Sequence, residues 1–193
     1  PANKCVLLAC MSFRCMLSMV MFLMGTAHAG EDYELSLIPQ GDWRLVTDQV
    51  MGGVSRADLG AGTHQGESCI ALRGTVSTQN NGGFVQMVRE LAAADPSAEG
   101  FSGISLRVTG NGERYNLHLR TSDLWLPWQS FRATFETSSA WSSVYLPFSS
   151  FEPYKTAAGL RLDKLSRIGI VAIGRDFDAD ACIGEVAFQR KGL

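Results

Sequence analysis

The chain has 193 residues, with 17 lysines and arginines against 19 aspartates and glutamates, a formal charge of −2, and 46% hydrophobic residues. A mildly acidic, half-apolar chain of this length suits one globular domain and has no charge excess with which to hold nucleic acid or an anionic membrane. The N-terminal stretch differs from the rest. Met11 to Arg14 make a short basic start, Cys15 to Met24 an apolar run broken only by Ser18, and Ala27-His28-Ala29 a small-x-small site before Gly30-Glu31-Asp32. These are the three parts of a secretory signal peptide. The run is too short for a membrane span, which needs about 20 apolar residues. Cleavage is expected between Ala29 and Gly30, leaving residues 30–193 as a single exported domain, periplasmic or secreted, without stable membrane insertion. Residues 1–10 precede a plausible start at Met11; Leu7-Leu8-Ala9-Cys10 loosely matches a lipoprotein site but has no apolar region before it. The alternative, an N-terminal helix of the core, does not account for the sharp polar switch at Gly30.

Beyond residue 30 the dominant period is two. A strand is expected over 42–46, with Trp43 in the core, running into Asp48-Gln49-Val50-Met51-Gly52-Gly53-Val54-Ser55. Paired glycines permit positive φ and close backbone approach, so this block is expected to be a shaped turn. Within it Asp48 and Ser55 would hydrogen-bond nearby amides and Met51 would fill an apolar gap. After a strand over 69–76 comes Asn80-Asn81-Gly82-Gly83-Phe84, in which Asn80 and Asn81 close a turn and Phe84 enters the core. A strand over 83–87 follows, then a helical turn over 91–94. Ile104, Leu106 and Val108 alternate with polar residues, as do Tyr115, Leu117 and Leu119, and Gly110-Asn111-Gly112 between them is expected to form a hairpin. Strands over 130–136, 142–147, 168–173 and 184–189 complete the pattern, with a helical turn over 162–166 and Trp141 assigned to the core. Many short strands separated by turn residues predict an all-β sandwich. No internal repeat or second compositional block is present.

Three of the five cysteines lie before residue 30, leaving Cys69 and Cys182. Two thiols in an oxidising compartment point to a disulfide. Strand parity opposes it, because Cys69 falls opposite Ile70 and Leu72 while Cys182 shares parity with Val186 and Phe188. Two separate buried thiols are the alternative.

Catalytic machinery is not evident. His64 and His118 are the histidines left after export, neither in a Ser-His-Asp or Cys-His setting, and there is no P-loop, HExxH or dinucleotide fingerprint. A non-enzymatic protein without a cofactor is expected. Asp176-Phe177-Asp178-Ala179-Asp180 has calcium-loop spacing, but Ala181 and Ala187 stand where such a loop needs its glycine and bidentate acid, so solvated loop carboxylates and no metal are expected. The more promising surface is polar. Arg107, Asn116, His118, Arg120 and Arg132 would face one way if strands 104–109, 115–121 and 130–136 lie side by side; the bland alternative is an ordinary solvated face. Trp125 and Trp128 flank Leu126-Pro127 in a loop able to display aromatics beside that face.

The order Trp43, Asp48, Met51-Gly52-Gly53, Ser55, then Asn80-Asn81-Gly82-Gly83-Phe84 with Arg89 resembles the complex I intermediate-associated protein 30 family. Gly110-Asn111-Gly112, Tyr115 to Arg120, Gln129 to Phe135, Trp141, Leu146-Pro147-Phe148 and Phe151 fit the same pattern, so the likeness runs from about Trp43 to Phe188. It implies a jelly-roll-like β-sandwich of the galactose-binding, carbohydrate-module type. The family's best-known member is an assembly chaperone, so the implied role is a protein-complex assembly or scaffolding factor of the cell envelope with a protein client. The alternative is a carbohydrate-binding module for envelope or external glycans, and an unrecognised hydrolase is the third reading. The resemblance also places Asp48, Asn81, Arg89 and Arg120 in one polar surface cluster.

Overall fold

Side chains alternate across an extended chain, so a strand with one apolar parity must lie over a core. In β6 (Gly103–Gly110) the inward set is Ile104, Leu106 and Val108; in β7 (Arg114–Thr121) it is Tyr115, Leu117 and Leu119, and all six are buried. The computed structural model describes residues 33–36, 43–93, 95 and 97–190. The other strands are β1 (Tyr33–Ser36), β2 (Arg44–Thr47), β3 (Arg56–His64), β4 (Glu67–Val76), β5 (Phe84–Glu90), β8 (Ser130–Glu136), β9 (Ser142–Pro147), β10 (Glu152–Tyr154), β11 (Leu165–Ile173) and β12 (Phe177–Arg190). They form two antiparallel sheets. The first runs β3-β4-β12-β6-β9, with β1 on the last residues of β12, and the second runs β10-β8-β7-β11-β5-β2. One core lies between them, to which the first sheet contributes Leu72, Val186 and Phe188 and the second Met87, Phe131 and Ile170.

The expected all-β sandwich is therefore the fold, and the predicted strands correspond to β2, β4 to β9, β11 and the second half of β12. Strands β1, β3 and β10 were not anticipated. Residues 91–93 form no helix, and the expected turn at 162–166 is a single 3-10 turn over Leu162–Lys164. The predicted signal segment lies outside the described residues, among which no helix is long and apolar enough to cross a membrane.

The predicted hairpin at Gly110-Asn111-Gly112 is corrected. Strands β6 and β7 are not neighbours; the segment carries the chain from the first sheet to the second. Gly110 N donates to Ser138 O at 2.7 Å and Asn111 N to Asp180 O at 3.1 Å. A Cβ on Gly110 would stand 2.6 Å from Asp180 O, so only glycine fits this corner.

The parity of Cys182 is corrected too. The register of β12 against β6 shifts between Ile183 and Glu185, so its inward side chains change from Ala181 and Ile183 to Val186 and Phe188. This bulge puts Cys182 on the outer face with Cys69, and the two are bonded, with Cα atoms 5.5 Å apart. Trp141 packs on this pair outside the first sheet and not in the main core, donating its Nε1 hydrogen to His64 O at 3.0 Å.

Candidate functional site

A groove of about 260 Å³ crosses the outer face of the second sheet. Its floor follows from cross-strand register: Gly169 of β11 stands opposite His118 of β7 and Val88 of β5, and His118 stands opposite Arg132 of β8. Gly169 keeps the floor low, since a Cβ there would lie 3.2 Å from Val88 Cγ1. At one end the Arg132 guanidinium lies 3.4 Å over the Tyr154 ring while its Nε donates to Ser130 Oγ at 3.0 Å. Lys155 Nζ is 5.3 Å from the same ring.

One wall is the loop after β7, and Arg120 holds it. Its Nη1 donates to the carbonyls of Leu126 at 2.9 Å, Pro127 at 3.0 Å and Gln129, and its Nη2 to Leu124 O at 3.3 Å. Gln129 reaches on to Lys155 O at 3.1 Å, tying the loop to the end of β10. This clamp holds out Trp125, 93% exposed, and Trp128, 53% exposed, the latter lining the groove. On the floor His118 Nε2 is buried and has no partner among the described residues. Burial, helped by the Arg132 charge, pushes the ring down to a pKa of about 3, so His118 is neutral at physiological pH.

The two glycine blocks meet at one edge of this groove, through Asp48. Its carboxylate is fully buried and accepts from Ser55 Oγ at 2.5 Å, Gly83 N at 2.5 Å, Ser55 N at 3.0 Å and Phe84 N at 3.3 Å. Burial alone would raise its pKa, but the bonds from Gly83, Ser55 and Phe84 outweigh that and hold it below the ordinary aspartate value. Ser55 Oγ in turn accepts from Ser77 N at 2.9 Å. Gly53 and Gly82 press against the carboxyl group so closely that a Cβ at either position would overlap it. Gly52 and Gly83 take φ of 90° and 123°, and Asn80 and Asn81 take 55° and 58°, as turn-closing residues do.

Several expectations are corrected here. Asp48 is interior, so it joins no surface cluster with Asn81, Arg89 and Arg120. Arg89 shares the inward parity of Val85 and Met87, is buried, and donates to Asp95 at 2.7 Å. Arg107 sits on the other sheet, paired with Glu67 at 2.8 Å and 5.3 Å from the Trp141 ring, because β6 and β7 belong to different layers. Met51 is 62% exposed at the groove rim instead of filling a gap, and Phe84 lines the groove instead of the core. Asn81 is on the same rim, while His118, Arg120, Arg132 and Trp128 do converge as expected. Asp178 and Asp180 lie on the start of β12 and Asp176 in the connection just before it, so the three do not share one loop. They accept from Thr78 N at 2.6 Å, Thr75 Oγ1 at 2.9 Å and Arg73 Nε at 3.0 Å, and no metal-binding cluster of three or more His, Cys, Asp or Glu occurs among the described residues.

Tyr154, Lys155 and Gly169 join the site beyond the residues expected from the sequence. A lone glycine inside the apolar run 168–173 marks a place where something approaches the backbone closely, the one sequence signal of Gly169.

Among solved structures the fold resembles carbohydrate-binding modules. A family 11 module from Clostridium thermocellum in complex with a β-1,3-1,4-mixed-linked tetrasaccharide aligns with TM-score 0.63 and 14% identity, covering 81% of this chain and 94% of that one. A family 30 module of a cellulosomal cellulase from Clostridium thermocellum aligns with TM-score 0.52 and 10% identity over 83% and 92%. An agarase aligns with TM-score 0.58 and 10% identity over 83% of this chain but 25% of its own. Among curated proteins no sequence matches significantly. The family model for complex I intermediate-associated protein 30 matches residues 35–182, the same span that holds the Asp48 turn and the groove strands, and the chain belongs to that family.

Proposed function

We propose that this protein is a non-catalytic binding module that holds an extended glycan across the second sheet. The observation that carries this reading is Trp128, held by the Arg120 clamp beside a floor of planar polar groups, among them Gln86, His118 and Arg132. An indole face stacks on the apolar face of a sugar ring, and amide, imidazole and guanidinium edges bond its hydroxyls. The floor spans five strands, β10 to β5, or about 20 Å, the length of a short oligosaccharide. Likeness to modules of this architecture, one with a bound tetrasaccharide, supports the reading. Affinity electrophoresis against a panel of soluble polysaccharides tests it. Retardation by at least one polysaccharide is expected, and Trp128→Ala should weaken it by about 30-fold, as loss of a central aromatic anchor does. If no polysaccharide retards the protein, or Trp128→Ala binds as well as wild type, the reading fails.

A second reading, an assembly or scaffolding factor, is favoured by the family and by the exposed apolar side chains Val50, Met51 and Val54 on the turn next to the groove. Crosslinking in the native envelope should then recover one defined protein complex, and Met51→Asp should release it. In both readings the domain acts after export, and N-terminal sequencing of the native protein should begin at Gly30.

A further inference from the structure

The charge of the groove opposes that of the chain. Arg120, Arg132, Lys155 and Arg167 line it, and no aspartate or glutamate among the described residues does so, although the whole chain carries a formal −2. The acids nearby leave the cations largely uncompensated. Glu90 is shared between Arg167 at 2.6 Å and Arg44 at 2.8 Å. Glu152 stands opposite Arg132 in the β10–β8 register, yet no ion pair joins them among the described residues. Arg120 spends its hydrogens on neutral carbonyls, which fixes the loop, and it forms no ion pair among the described residues. Arg132 and Lys155 rest on the Tyr154 ring, which orients them without neutralising them. The field registers on neighbouring groups: burial first and then Arg132 lower the pKa of His118, and burial first and then Arg167 lower that of Arg120, outweighing the opposing pull of Glu90.

We infer that the groove takes an anionic glycan, a uronic-acid polymer whose carboxylates meet Arg132 and Lys155 while a sugar face stacks on Trp128. This rests on the glycan reading above and specifies its chemical class. A planar carboxylate matches the guanidinium fork, already aligned by Tyr154 and Ser130. A paired-out sheet interior offers no backbone groups for strand addition, which a peptide ligand would use, so recognition here must come from side chains.

Isothermal titration of the purified protein with polygalacturonate, mixed-linked β-glucan and poly-glutamate tests the inference. Polygalacturonate is expected to bind at least about tenfold more tightly than the neutral glucan, with the preference falling as salt rises from about 0.05 to about 0.5 M. Arg132→Gln and Lys155→Gln should each weaken polygalacturonate about tenfold while leaving the melting temperature unchanged, and Arg132→Lys should fall between. Lys155 is exposed, so its variant keeps the test decisive should Arg132→Gln fail to fold. Equal binding of the neutral glucan, or insensitivity to both glutamine variants, overturns the anionic class while leaving a glycan module. Poly-glutamate binding as tightly as polygalacturonate overturns it in favour of an acidic protein partner. Binding of neither polysaccharide removes the glycan reading itself.

Discussion

Asp48 holds a charge in the interior with no lysine or arginine paired to it among the described residues; its counter-groups are two backbone amides of the second glycine block and the hydroxyl and amide of Ser55. Removing the carboxylate strands buried N–H groups on two separate turns. Asp48→Ala is therefore expected to lower stability by about 3 kcal/mol or more, read as a shift of the urea midpoint without a change in slope. Because the folded-state pKa lies below the unfolded value, the stabilisation is complete above about pH 4 and is lost as the pH falls through the folded pKa. Asp48→Asn should accordingly flatten the acid limb of the stability profile, and an unchanged limb would show that other carboxylates set it. His118 behaves in the opposite chemical sense. Its pKa of about 3 lies far below the free value, so the folded protein stays unprotonated there while the unfolded chain takes up a proton below about pH 6.5. It thus favours unfolding increasingly as the pH drops from that point, and its ring resonances should show no titration between pH 5 and 8 in the folded state. A midpoint in that interval would mean that the groove floor is open to water.

Within the elements, the bulge in β12 determines what the first sheet can staple. Without the register shift between Ile183 and Glu185, Cys182 would point into the core; with it, Cys182 meets Cys69 outside and joins β4 to β12 across 113 residues of chain. In the chain-entropy account a loop of that length contributes about 4–5 kcal/mol. The Cys69→Ala, Cys182→Ala double variant should lose stability on that scale, and alkylation of denatured, unreduced protein should modify neither cysteine. The same element explains what the sequence made legible and what it concealed. Alternation identifies a strand and its two faces, so the buried sets of β6, β7 and β8 and the outward His118, Arg120 and Arg132 could be read directly. It does not say which strand lies beside which, so the pattern alone groups Arg107 with the face of β7 and β8 and reads a corner as a hairpin. Strand β3, at the edge of its sheet, is built from Gly60, Gly62, Ala57 and Ala61 and carries little β-propensity; only the Gln65-Gly66 turn, with φ of 50° and 83°, marks its end. Strand β10 has three residues, one of them Pro153, too few to display a period. Its Tyr154, and Lys155 just after it, therefore enter the groove unannounced.

At the scale of the whole molecule, the groove sits on one sheet while the staple sits on the other, and a single core joins them. Inward residues of both sheets touch in one cluster, which also includes Trp43 and Phe151, so the sandwich is expected to unfold as one cooperative unit. Ligand held only on the outer face of the second sheet must then stabilise the first sheet as well, because there is no separate core to melt independently. At ligand concentrations near 100 Kd the linkage is worth about 2.7 kcal/mol, and for a domain of this size each kcal/mol moves Tm by about 2–4 °C. Saturating polygalacturonate should therefore raise a single calorimetric transition by about 5–10 °C, and Trp128→Ala, by weakening binding about 30-fold, should cut that shift to about a third without lowering the unliganded Tm, since that side chain is half exposed and outside the core. Two transitions, with only one responding to ligand, would show that the sheets are coupled less tightly than their shared core requires. Reduction of the Cys69–Cys182 bond offers the reverse experiment. It should lower Tm in the free and liganded protein by similar amounts, because staple and groove are on opposite layers and share no residue, so their contributions to stability should add.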